Sequence, residues 1–282
     1  MTARIATPSA LIVLLAAALI ALVTLAGAGP ARAQDGVLGG DGEEGAIEIT
    51  AEDGIEWFRD AKQYRARGQA TATRGRLKIT ADTLIAYYRG GENGERQVIF
   101  RLDAVGSVEV SSPDGVALGD KGVYHVEKQV AVLVGEDLQL TTENAVITAE
   151  ESLEYWEARS LAVARGDALV RREDQRLKAG VLTAFIRQPE AKGGGADGRP
   201  TGDVERIDAT GGVHVSTKTE IVTGREGVYD VPNERVTLCG EVKITREQNQ
   251  LNGECAVVDM KTGRSRLEGR GEKVQGLILP TQ

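Results

Sequence analysis

LKITADTLIAYY, residues 77–88, is the stretch on which the reading of this chain turns. Ile79, Ala81 and Ile85 stand at even offsets from one another, and Asp82 falls on an odd position between them. Side chains on a strand alternate between its two faces, so this spacing predicts a strand with one apolar and one polar face. The arrangement recurs along the chain. With the small residue before the acidic position as anchor, seven segments align at Ala51, Ala81, Gly119, Ala149, Ala179, Gly224 and Gly253. Their spacings are 30, 38, 30, 30, 45 and 29 residues, and insertions at 90–97 and 188–203 account for the two long ones. A fixed period in this range is the mark of stacked repeats. The near-copies GVYHV (122–126) and GVYDV (227–231) belong to the third and sixth units.

The columns of the alignment describe each unit. Two residues before the anchor stand Ile49, Ile79, Ala117, Ile147, Leu177, Val222 and Leu251, and four after it stand Ile55, Ile85, Val123, Leu153, Thr183, Val228 and Val257. The position directly after the anchor is charged in six of the seven units, as Glu52, Asp82, Asp120, Glu150, Arg225 and Glu254. A glycine column follows at Gly68, Gly106, Gly135, Gly166, Gly211, Gly240 and Gly269, and alternation resumes after it, as in Val108-Glu109-Val110. Glycine inside a strand marks a bulge or a tight bend. Each unit therefore supplies two strands. AEESLEYWEAR (149–159) has helical propensity but aligns with ITADTLIAYY (79–88), and is read as strand. The predicted class is all-β: an elongated stack of bent antiparallel strands, a rolled sheet or solenoid of about seven 30-residue, two-strand repeats around an apolar lumen. Trp57, Tyr87, Tyr155 and Phe185, with His125, share a column six after the anchor. That column has the parity of the inward face, and reads equally as a stripe at the mouth of a groove or as a supporting ladder.

Residues 1–33 stand apart. One early Arg4, an uncharged apolar run and the Ala31-Arg32-Ala33 tripeptide predict a signal peptide cleaved before Gln34 and an exported chain, the rival being an uncleaved anchor. Residues 34–282 are then one β-domain carrying both insertions. Removing Arg4 and Arg32 leaves 32 basic residues against 42 acidic ones. Such a surface repels polyanions, which excludes nucleic acid as a main partner. The sequence after residue 33 holds neither an apolar run of spanning length nor the aromatic-rich alternation of an outer-membrane barrel, so the mature protein is expected to be soluble.

LKITADTLIAYY (77–88) and VITAEESLEYW (146–156) resemble the repeat of the LptA/OstA family of periplasmic lipopolysaccharide-transport proteins, and the resemblance covers essentially the whole chain after residue 33. It implies a twisted β-jellyroll whose interior takes lipid acyl chains. It also implies partners: lipopolysaccharide, an inner-membrane transport complex, an outer-membrane translocon and a second copy of the chain joined head to tail. No cofactor is implied. The chain departs from the pattern in its length and its two Gly-rich insertions. The lumen contacts expected on this reading are Ile49, Ile79, Ile147, Leu177, Val222 and Leu251, with Ile55, Ile85, Val123 and Leu153 beside them.

Catalytic signals are missing from the sequence. His125 and His214 lie in different columns with no metal-ligand spacing, and no nucleophile elbow, zincin or phosphate-loop motif occurs. Asp82 and Asp120, flanked by Glu52 and Glu150, occupy the solvated column, so an enzyme is not expected. Cys239 and Cys255 leave two readings open, a disulfide of an oxidising compartment or two small buried thiols. The competing view of the whole protein is a structural envelope solenoid that binds no lipid and assembles through its strand edges.

Overall fold

The computed structural model describes residues 47–74, 77–90, 97–112, 115–187, 203–259, 261–262, 264–269, 271 and 273–278. The leader at 1–33 and nearly all of both insertions lie outside the described residues. The rest is strand almost throughout, in one antiparallel sheet. The first units give β1 (Glu48–Thr50), β2 (Gly54–Phe58), β3 (Gln63–Arg74), β4 (Leu77–Arg89), β5 (Val98–Ser112) and β6 (Gly115–His125). The middle gives β7 (Val130–Val134), β8 (Leu138–Thr142), β9 (Val146–Ala149), β10 (Ser152–Trp156), β11 (Leu161–Arg172) and β12 (Gln175–Arg187). The last gives β13 (Asp203–Ser216), β14 (Glu220–Asp230), β15 (Arg235–Arg246), β16 (Asn249–Asp259), β17 (Arg264–Glu268) and β18 (Gln275–Leu277). AEESLEYWEAR is strand, as read, ending in a short 3₁₀ turn at Glu157–Arg159.

Consecutive strands pair with one another except within four end-to-end couples, so the sheet is a meander. Four pairs lie end to end along one neighbour: β1 and β2 on β3, β7 and β8 on β6, β9 and β10 on β11, and β17 and β18 on β16. Counted that way, the described residues form fourteen long strands, two for each unit.

Every unit bends at its anchor and at its glycine. The pairing register slips there, for example between Arg67 and Ala70, Val105 and Val108, and Arg165 and Ala168. Gly166 shows why the bend needs glycine. Its φ is +80°, and a Cβ would stand 2.7 Å from the backbone nitrogen of Glu151. Gly106 is alike, with φ +80° and its Cβ position 2.1 Å from a carboxylate oxygen of Asp82. At these corners an acid of one strand lies over the glycine of the next: Asp82 of the acidic column over Gly106, and Glu151, one residue past that column, over Gly166. We expect Gly166→Ala to destabilise the fold by about 2–4 kcal/mol, from left-handed strain plus displacement of Glu151. Gly212→Ala, with φ +86° but open space around the Cβ position, should lose only the strain. Urea denaturation of both variants checks this; equal losses would mean that the contact with Glu151 carries no weight.

The corners fold the sheet into two arms that share one core. In the anchor arm, cross-strand partners run Ile79, Val110, Ala117, Leu140, Ile147, Val170 and Leu177 without a polar interruption. In the other arm they run Leu84, Ala104, Gly122, Leu133, Leu153, Ala164 and Leu182. Residues from both rungs pack into a single buried cluster.

Expected face parity needs one correction. On β4 the buried residues are Ala81, then Leu84, Ala86 and Tyr88, so the corner at Asp82–Thr83 moves the inward face by one position. Ile85 and Val123 therefore face outward, and Leu84 and Gly122 take the inward place. Units one and four behave otherwise. AEDGI (51–55) and AEESL (149–153) each carry one more residue between anchor and next apolar position than ADTL (81–84), which restores the parity. Ile55 and Leu153 thus stand in the inward register beside Ala66 and Ala164.

This difference exposes a longer repeat. Ala51, Gly68 and Ala81 recur 98 residues on as Ala149, Gly166 and Ala179, and Gly106, Gly119 and Gly135 recur 105 residues on as Gly211, Gly224 and Gly240. The chain is two copies of a three-unit module, offset by seven more residues after the longer insertion, followed by a seventh unit. On the outer face both copies carry the same cluster. Arg101 lies over Tyr87 and grips Asp103 through two hydrogen bonds of 2.6 and 2.8 Å, and Arg206 lies over Phe185 and grips Asp208.

Candidate functional site

The interior is sealed in one part and open in another. Across β7, β10, β11 and β12, the rung carries Leu133, Leu153 and Leu182 around Ala164, and Ile147 opposite them is fully buried. Across β13 to β16, the same rung carries Ala209, Gly227, Leu238 and Ala256, with only one large side chain among four. There the arms leave a cavity of about 820 Å³. Its other wall is Val170, Leu177, Val215, Val222, Ile244 and Leu251, each the cross-strand partner of the next. Ile207, Tyr229, Val236 and Val258 continue the lining beyond the corner.

Charge is confined to the rim. Three hairpins at one end of the strands contribute Arg172, Glu173, Asp174, Arg176, Lys218, Glu220 and Arg246 to the lining. Lys218 and Asp174 form an ion pair between two of these hairpins, and the Thr217 hydroxyl accepts the backbone N–H of Glu220 at 3.1 Å, closing the tight turn. The site is therefore an apolar channel with a polar mouth, a form that admits an apolar chain and leaves a polar head in water.

Of the expected lumen residues, Leu177, Val222 and Leu251 line the cavity. Ile147 lies in the sealed middle, Ile49, Ile79 and Leu153 pack against the buried cluster, and Ile55, 51% exposed, sits at the first sheet edge. Ile85 and Val123 face away from the lumen for the reason given above. The aromatic column divides in the same way. Trp57 and Tyr155 stand in the inward register, whereas Tyr87, Phe185 and His125 are outward, Tyr87 and Phe185 serving as platforms for Arg101 and Arg206. Missed by the sequence reading were Tyr229 and the small residues Ala209, Gly227 and Ala256. The signal for them was present: Leu-to-Gly or Leu-to-Ala exchange at one inward position between units.

The acidic residues have structural work. Asp120 accepts the backbone N–H of Glu136 at 2.9 Å across its corner. Burial pushes the Glu154 carboxyl up, but donors from Arg165, Trp156 and Ser152 outweigh it and hold the group below the usual carboxylate range. Among the described residues no group of three or more His, Cys, Asp or Glu side chains could hold a metal ion. Cys239 and Cys255 are direct cross-strand partners on β15 and β16, joined as a disulfide. No helix among the described residues is long and apolar enough to cross a membrane.

The architecture is a bent antiparallel meander that encloses an apolar channel with a charged rim. The family described as "LptA/(LptD N-terminal domain) LPS transport protein" matches twice, over residues 48–155 and 147–264, one match for each copy of the three-unit module. The chain belongs to this family of lipopolysaccharide transport proteins. An uncharacterized protein of Rhizobium meliloti (strain 1021) is 27% identical over 146 residues, which span 51% of this chain and 76% of the relative. A solved structure, LptH, described as the LptA homologous periplasmic component of the conserved lipopolysaccharide transport device from Pseudomonas aeruginosa, is 20% identical. It aligns with a TM-score of 0.39 over 48% of this chain and 95% of its own.

Proposed function

We propose that this protein is a periplasmic carrier that holds the acyl chains of lipopolysaccharide in its lumen while the sugar and phosphate head stays in water, passing the lipid from the inner toward the outer membrane. One observation carries this reading: within a lipopolysaccharide-transport family, an open channel of about 820 Å³ is walled by aliphatic side chains and rimmed by charge. Each methylene taken from water contributes about 0.8 kcal/mol before ordering losses. That gain suffices for capture without a cofactor or covalent step, and an energy source would belong to an inner-membrane partner.

Export by a leader cleaved after Ala33 completes the proposal. The sheet edges support assembly with partners or with a second copy. Ile55 and Trp57 are about half exposed on β2, as is Leu277 on β18, and an open strand edge templates another chain. The lipid path is tested by photocrosslinking in living cells, with a photoreactive amino acid at Val222 and at the outward Glu226. Lipopolysaccharide adducts are expected at Val222 and not at Glu226. Adducts at neither, in a folded and exported protein, would leave a structural envelope solenoid as the better account.

A further inference from the structure

The strands that wall the cavity carry a basic surface on their backs. The wall residues from Val170 to Leu251 face the channel, so their neighbours along each strand face outward. Two outward rungs cross β11 to β16. One holds Lys178, His214 and Lys243, the other holds Arg171 and Arg176, and neither holds a carboxylate. The five cationic or titratable side chains are all exposed, on a chain whose net charge is -8.

Two observations set this surface apart from an ordinary solvated face. Elsewhere the outer-face arginines rest on carboxylates, Arg101 on Asp103, Arg165 on Glu154 and Arg206 on Asp208. Here Lys178 has Asp167 at 2.8 Å, but Arg171, Arg176 and Lys243 form no ion pair among the described residues. Arg171 and Arg176 are moreover direct cross-strand partners, and like charges placed so repel unless an anion joins them. The first copy of the module differs. Counting back 98 residues from Arg171, Arg176 and Lys178 gives Thr73, Lys78 and Thr80, and 105 back from His214 gives Glu109. The basic face thus accompanies the strands that hold the cavity.

Position joins the two. Arg176 belongs to the outer rung and also lines the cavity where the hairpins form its mouth. Lys178, His214 and Lys243 lie one rung further from the lip, about 7 Å along the strands. A phosphate offers several acceptor oxygens and up to two charges, which suits a pair of guanidinium forks backed by ammonium groups.

We propose that this outer face seats the anionic head of the lipid held in the channel: the head bends over the hairpin lip, and a phosphate on it binds Arg171 and Arg176 with Lys178 and Lys243 behind. The inference rests on the carrier reading above and adds to it the place and the charge of the head.

Two lipids of equal chain test it: monotetradecanoyl glycerol and the same molecule carrying a phosphate on its glycerol, each held below the concentration at which it forms micelles. Affinities of the purified full chain are measured for both. The unmodified protein should bind the phosphate lipid about tenfold more tightly, the sum of two or three exposed ion pairs. Arg171→Gln with Lys243→Gln should remove that preference by weakening the phosphate lipid alone. Lys78→Gln with Lys128→Gln, the same change of charge at exposed sites of the first copy, should keep it. Equal affinities in the unmodified protein, a preference that survives Arg171→Gln with Lys243→Gln, or one lost equally in both double variants overturns this assignment while the carrier reading stands. Binding of neither lipid by the unmodified protein overturns both. So does full affinity of Val222→Asp for the phosphate lipid, which would make the face a dock for lipid surfaces that needs no channel.

Discussion

Val222→Asp should abolish lipopolysaccharide binding while the protein stays folded. Val222 is half-buried on the cavity wall, between Val215 on β13 and Ile244 on β15. In the empty channel a carboxylate at this position reaches water through the open volume, so the unliganded fold loses little, about 1 kcal/mol. An acyl chain entering the channel expels that water. The carboxylate must then either stay ionised against hydrocarbon or take up a proton, and each route opposes binding by several kcal/mol. Every 1.4 kcal/mol is a factor of ten, so affinity should fall at least a hundredfold. Displacement of a fluorescent fatty acid by purified lipopolysaccharide measures it, with circular dichroism as the check on folding. Val222→Asn separates charge from shape, because an amide has no charge to desolvate and should lose far less. A folded Val222→Asp protein that binds as before would remove the cavity from the lipid path.

The fold was legible because alternation, period and glycine spacing all report backbone geometry, and geometry repeats with the unit. Ile79, Ala81 and Asp82 read correctly from their offsets alone. Parity beyond the corner was not legible from a single unit. The anchor fixes one arm, and the face of the next arm depends on how many residues turn the corner. ADTL turns it with one residue fewer than AEDGI or AEESL, so Ile85 points out where Ile55 and Leu153 point in. Seen across all units, that one-residue difference also marks where the second copy of the module begins.

The cavity was less legible than its walls. Sequence supplies the aliphatic columns but does not say which stretch of lumen is filled, because filling depends on the sum of side chains from strands far apart in the chain. Ile147 and Val222 stand in the same column of the alignment and look equivalent there. They differ through their surroundings: Leu138, Leu140 and Leu182 join Ile147 in the buried cluster, whereas Val222 looks across the channel toward a rung that has Gly227 and Ala209 in place of leucines. Tyr229 was hidden for another reason. GVYDV places it next to an outward valine, and the inward assignment follows only once the corner is seen.

That difference between two members of one column leads to the second large effect. Ile147→Ala should destabilise the protein by about 2–5 kcal/mol, while Val222→Ala should lower stability by less than about 1 kcal/mol. Ile147 is wholly excluded from solvent and paired between Leu140 on β8 and Val170 on β11, so truncation opens a void that the two arms cannot close without moving both rungs. Lost transfer energy and the new cavity then add. Truncation at Val222 only enlarges a space that already exists, and the neighbouring wall loses few contacts. Thermal or urea denaturation of the two variants gives the comparison directly, without any lipid. A large loss at 147 with a small one at 222 means that the middle of the lumen is structural core and the last three units hold the open channel. Equal, large losses would mean that the channel walls are packed against one another when no lipid is bound, and that the lipid must prise them apart to enter.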